Sequence, residues 1–147
     1  MSKPSMVHVI TNFAGVGGAE MMLARLIQHT EHQYEHVIIA LMKTSEVYQS
    51  TLDRCQAHYA LDWNGINTLG TVSKLRTLLK KLQPATVQCW MYHANALTSL
   101  SVIGLARKPK VVWGIHHSLA SPKDESISTK IALGLSKILS QQASAIM

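Results

Sequence analysis

The chain is poor in the residues that announce many functions. Of its 147 residues only Cys55 and Cys89 are cysteine, and they share no short metal-like spacing. That excludes a disulfide-built scaffold and a cysteine-rich zinc site, and fits two free thiols in a reducing compartment. Aromatic residues make up 5%, too few for the stacking platforms of a single-strand binder. The net charge is +6, yet no run reaches five like charges. The basic residues are scattered as Lys74, Arg76, Lys80 and Lys81, then Arg107, Lys108 and Lys110. Nucleic acid is therefore not expected as a partner. No segment offers the roughly 18 uninterrupted apolar residues of a membrane span. The start, "MSKPSMVHVI", lacks the basic region and long apolar stretch of a signal peptide. A cytoplasmic protein is expected, with peripheral contact at the inner face of the cell membrane left open. A Gly-x-Ser-x-Gly elbow and a Cys–His constellation are also missing, so hydrolase chemistry has no foothold.

What is present is a core and a regular alternation. Hydrophobic residues are 47% and charged residues 15%, the balance of a folded chain of about one domain. Short apolar runs predict strands at Met6 to Ile10, His36 to Leu41, His58 to Leu61, Ala85 to Trp90 and Lys110 to Ile115. Helical periods lie between them. One runs from Ala19 to His29 through Met22, Leu23, Leu26 and Ile27. Ser45 caps a second, through Val47, Leu52 and Cys55. A third, from Leu69 to Leu82, stops before Pro84. A fourth, rich in small residues, covers Ala94 to Ala106, and a fifth Ile127 to Leu139. "ASAIM" then begins one more strand. This alternation predicts an α/β domain: a mostly parallel sheet with helices on both faces, a Rossmann-like three-layer sandwich. The chain stops at Met147 inside an expected strand, which suggests a truncated protein or a domain cut from a longer one.

In such sheets ligands bind outside the carboxyl ends of the strands. Three loops there carry candidate residues. The first is "TNFAGVGGAE", between a strand and a helix. Its glycines let backbone approach a ligand, and free N–H groups at the helix start favour an anion. It is no dinucleotide fingerprint, because Glu20 stands where the third glycine belongs and the second strand ends without an acidic residue. It is no Walker A loop either, since no Gly-Lys-Ser/Thr follows. A plain turn that starts a helix is the competing reading. The second loop, "QCWMYHANA", offers Trp90, Tyr92, His93 and Asn95. The third, "WGIHHS", offers His116 and His117, of which at most one can face a ligand. Histidines here can hold a phosphate or sugar hydroxyl, or move a proton. His29, His32 and His36 read as solvated or capping residues. The basic "KLRTLLKKL" helix reads as core on one side and water on the other rather than as a membrane anchor.

Taken together, "VHVITNFAGVGGAEMMLARLI", "LQPATVQCWMYHANALTSL" and "KVVWGIHHS" resemble the N-terminal half of a group 1 (family 4) glycosyltransferase of the GT-B fold. The resemblance covers essentially the whole chain. It implies a retaining, metal-independent enzyme of two Rossmann-like domains, working in lipopolysaccharide or other polysaccharide and glycoconjugate biosynthesis. The N-terminal domain, here 1–147, would receive a lipid-linked or saccharide acceptor. The domain carrying the nucleotide-diphosphate sugar and an E-x7-E motif would be missing. By position, Asn12, Gly17, Gly18 and Glu20 match the loop that meets the donor diphosphate. His93 and either His116 or His117 match sugar- or acceptor-contacting positions. The resemblance implies no cofactor beyond the donor substrate. Alone, the chain would be inactive or nearly so. The alternative is a non-catalytic Rossmann-like binding module or inactive fragment; a nicotinamide-dependent oxidoreductase is disfavoured by Glu20.

Overall fold

The computed structural model describes residues 3–15, 17–106, 109–114 and 145–146. The strands are β1 (Ser5–Ile10), β2 (Glu35–Ala40), β3 (Ala57–Ala60), β4 (Thr86–Trp90), β5 (Lys110–Gly114) and β6 (Ala145–Ile146). The helices are α1 (Gly18–Thr30), α2 (Gln49–Asp53), α3 (Thr68–Leu82) and α4 (Tyr92–Val102). All neighbouring strands pair in parallel, in the order β3-β2-β1-β4-β5-β6. The expected Rossmann-like α/β architecture is therefore present. Strand order reverses between β1 and β4, so the crevice that such sheets use for ligands opens above that pair.

The two faces of the sheet carry separate cores. Val7, Val9, Val37, Ile39, Val87, Cys89 and Val111 point to one face, where they pack with Leu75 and Leu79 of α3 and Ala94 and Leu97 of α4. Ile10, Ile38, Ala40 and Trp90 point to the other, under Leu23 and Ile27 of α1 and Leu52 of α2. Burial on both faces is why β1 and β2 read as unbroken apolar runs. Fully burying each such side chain is worth about 1.5–3 kcal/mol.

Local details follow the side chains. The Ser45 hydroxyl accepts from the Val47 N–H at 3.3 Å, the expected cap, but it opens a 3-10 turn (Glu46–Tyr48) leading into a short α2 that ends before Cys55. α3 ends at Gln83 in the left-handed region (φ 46°), its N–H bonded to the Leu79 carbonyl at 3.0 Å, just before Pro84. Leu69 and Met22, counted above on buried helical stripes, are instead 87% and 48% exposed. The buried faces run through Ala19, Leu23 and Ile27 in α1 and Thr71, Leu75 and Leu79 in α3, which leaves Met22 and Leu69 toward the outward side of their helices. The expected helix over 127–139, and His116 and His117, lie outside the described residues.

Candidate functional site at the strand-order reversal

The loop that leaves β1 is held from the β2 side. The Phe13 N–H donates to the Lys43 carbonyl at 2.9 Å, and its ring stacks on Tyr48 with centroids 4.2 Å apart. The Tyr48 hydroxyl in turn donates to the Gly15 carbonyl at 2.6 Å. This fastening sets where α1 begins. Gly17 is its N-cap with extended backbone (φ −130°, ψ 173°), and Gly18 is the first helical residue. Asn12 is half-buried beside them.

Glu20 gives Gly17 its physical reason. A Cβ built on Gly17 would lie 2.2 Å from Glu20 Oε2, whereas one built on Gly18 meets nothing within 4 Å. The carboxylate thus folds back over the N-cap from the third helical position, the position a capping-box glutamate takes, although Gly17 has no side chain to complete such a box. It is buried, with 7% of its surface exposed. Burial first, and then the negative charge of Glu20, push the Tyr48 phenol above its ordinary value. The positive end of α1 is therefore already faced by a carboxylate from its own first turn.

Across the crevice, β4 ends at Trp90 and the chain turns sharply. Met91 has φ 78° and ψ 163°, a region natural only to glycine, and such strain clusters at functional sites. The turn starts α4 and places His93 in its first turn, half-buried, with its ring 5.1 Å from that of Trp63 at a 52° tilt. Trp63 follows β3 and is itself oriented by an indole N–H donated to Thr68 at 3.0 Å. Two residues further, Asn95 is fully buried with neither amide atom hydrogen-bonded among the described residues; the hydroxyl of Thr11, at the exit of β1, is likewise buried and unmatched among them. Buried polar groups in this state are uncommon, and a bound water or ligand is one way in which they are satisfied. Neither cysteine offers a nucleophile, because burial pushes both thiols up to about 12.

Asn12, Gly17, Gly18 and Glu20 thus form one loop-and-helix unit on the β1 side of the crevice, and His93 sits at the β4 exit. One expectation needs correction. His29 and His32 are exposed, but His36 is 1% exposed and lies inside β2. It hydrogen-bonds His8 of β1 at 2.9 Å, and His8 accepts the Trp90 indole N–H at 3.3 Å. The signal was a histidine inside each of two apolar runs. A polar ring buried on a covered sheet face requires a partner, and parallel pairing puts residues 8 and 36 on the same face.

The strand order and the alternation of strands and helices define a Rossmann-like α/β domain whose strand order reverses between β1 and β4. The family model for Glycosyltransferase Family 4 matches residues 16–147, and the chain belongs to that family. Among solved structures it is similar to HepE of Anabaena in complex with UDP, with 15% identity and a TM-score of 0.67. That match covers 97% of this chain and 36% of the other. HepE in complex with UDP and glucose matches at 15% identity and a TM-score of 0.64, over 95% of this chain and 37% of that one. An NAD complex of dTDP-glucose 4,6-dehydratase from Bacillus anthracis matches at 8% identity and a TM-score of 0.57, over 97% and 53%. At such identities these likenesses show the fold alone, and the chain spans little more than a third of the HepE length. No curated protein matches it. Among the described residues, no helix is long and apolar enough to cross a membrane.

Proposed function

We propose that residues 1–147 are the acceptor-side N-terminal domain of a retaining glycosyltransferase that moves a sugar from a nucleotide-diphosphate donor to a lipid-linked or saccharide hydroxyl. The carrying observation is the placement of Gly17 and Gly18 at a helix start beside the β1–β4 crevice. The open side of Gly18 lets the diphosphate approach the N–H groups of the first turn, which stabilise charge as the diphosphate leaves. His93, steadied by Trp63, orients a sugar or acceptor hydroxyl. His116 or His117 assists from the neighbouring loop. A second domain supplies the pocket for the base and ribose. The reaction then belongs in the cytoplasm, at or near the inner membrane face, in polysaccharide or lipopolysaccharide assembly.

The test is transfer from a panel of nucleotide-diphosphate sugars by the full-length protein. The reading expects turnover with at least one donor, and a His93→Ala variant slower by about 10²-fold, the usual worth of one positioned acid–base or hydrogen-bonding group. A purified 147-residue chain that transfers sugar at the full rate would sink it. One observation favours the competing reading, a non-catalytic binding module: the Glu20 carboxylate lies against the helix end where the diphosphate should act. Donor binding without transfer, or no donor binding at all, supports that alternative.

A further inference from the structure

Five groups cross the sheet beneath α1 in one continuous chain. The Trp90 indole N–H reaches His8 Nδ1 at 3.3 Å, and His8 Nε2 meets His36 Nδ1 at 2.9 Å. His36 Nε2 meets the Thr30 hydroxyl at 2.9 Å, and that hydroxyl donates to the Leu26 carbonyl at 2.6 Å. Both imidazoles are buried, with 0% and 1% of their surface exposed.

The protons in this chain have only one arrangement. An indole nitrogen can only donate, so His8 Nδ1 must accept and its single proton sits on Nε2. His8 Nε2–H then donates to His36 Nδ1, which leaves the His36 proton on Nε2. That N–H donates to Thr30, whose one hydroxyl proton is already committed to Leu26. The two ends fix the same direction independently. A further proton has no place. On His8 it would sit at Nδ1, facing the Trp90 N–H. On His36 it would sit at Nδ1, facing the His8 N–H, and relieving that clash by moving the His8 proton recreates the first.

We propose that this chain is a one-way hydrogen-bond relay through which His8 and His36, both neutral and both protonated on Nε2, position Trp90 and with it the Met91 turn that presents His93. The relay rests on geometry alone; its bearing on catalysis rests on the functional reading above. Trp90 is the last residue of β4, and the strained Met91 follows it directly. A fixed indole at that point holds the strand end against the pull of the turn, a positioning role at second hand.

The elements packed over this face of the sheet carry several titratable groups among the described residues. Glu20, Arg25, His29, Glu31 and Tyr34 come from α1 and the turn after it, Glu35 from the start of β2, and Tyr48, Asp53, Arg54 and Cys55 from the α2 segment. Glu31 is the carboxylate that favours a charged His36, and Arg54 is bonded to it at 2.7 Å. In His36 burial outweighs both a hydrogen bond to the Thr30 backbone and Glu31, and lowers its pKa; burial, then the neighbouring His36, push His8 down to about 3.

Long-range proton–nitrogen NMR of histidine-labelled full-length protein reads the tautomers directly. The relay requires both rings as Nε2–H with an accepting Nδ1, unchanged from pH 8 to 5.5. An Nδ1–H form of either ring, or titration of either near pH 6.5, overturns it. A Trp90→Phe variant removes the opposing donor. It should let the pair take up a proton about one pH unit or more higher, because removing a clash with the charged form raises the affinity for a proton. It should also shift the His93 ring signals, whereas Tyr34→Phe, beside His36 but outside the relay, should leave them in place. Unmoved His93 signals in Trp90→Phe would remove the positioning role. Correct tautomers with no sugar transfer would leave the relay standing and count against the functional reading instead.

Discussion

At Gly17 one missing side chain decides what a neighbour can do. Its backbone is extended, so any residue could adopt it, and the need for glycine comes from the Glu20 carboxylate. An added methyl meets the far end of a flexible side chain, not backbone, so the helix survives and the carboxylate swings away. The Gly17→Ala variant should therefore lose about 0.5–1.5 kcal/mol, the combined worth of a carboxylate at a helix N-terminus and of a good N-cap residue. In a Glu20→Ala background the same change should cost measurably less, because the group it displaces is gone. Urea denaturation of the four proteins checks this. Equal losses in both backgrounds would mean that Glu20 does not lean on Gly17. Gly18→Ala, in open space, serves as the near-neutral control.

Elements were legible where periodicity and punctuation agree. β1, β2 and β4 announce themselves as apolar runs, and Pro84 ends α3 as a proline should. The ends were less legible. Leu69 reads as the start of the apolar stripe of α3 yet lies in solvent, because the buried face is centred on Leu75 and Leu79 and takes in the polar Thr71 instead, which an apolar count passes over. α4 carries almost no amphipathic pattern, since Ala94 through Ser99 are all buried and both of its sides are covered. The end of α3 makes a quantitative test. Gln83 holds a left-handed conformation (φ 46°, ψ 54°) that a Cβ disfavours. Replacing it with glycine, the residue that usually follows a helix in this conformation, should stabilise the domain by about 1 kcal/mol. A lower thermal midpoint for Gln83→Gly would show that the glutamine side chain contributes more than its backbone costs.

At the scale of the molecule, a parallel sheet with its loops of interest at the carboxyl ends of the strands follows from the strand–helix alternation, and the glycine turn points to one of those loops; the strand order, and with it the place of the reversal between β1 and β4, comes only from the pairing. The relay inside the sheet did not follow. His8 and His36 are 28 residues apart, and only the parallel register of β1 with β2 brings them together. That pairing has a consequence for the whole fold. In the unfolded chain each histidine takes up a proton near its ordinary value of about 6.5, whereas burial in the folded domain lowers both, His8 to about 3. Below pH 6.5 the unfolded state binds more protons than the native state, so stability is full above that pH and falls as the pH drops. Each histidine contributes a slope of up to about 1.4 kcal/mol per pH unit. Chemical denaturation from pH 8 to 5 should show a plateau down to about 6.5 and a decline below it. The decline should be shallower in His36→Gln, which removes one of the two proton acceptors that only the unfolded chain can fill. A stability that stays level to pH 5 would mean that the pair is charged, or reachable by water, in the native domain.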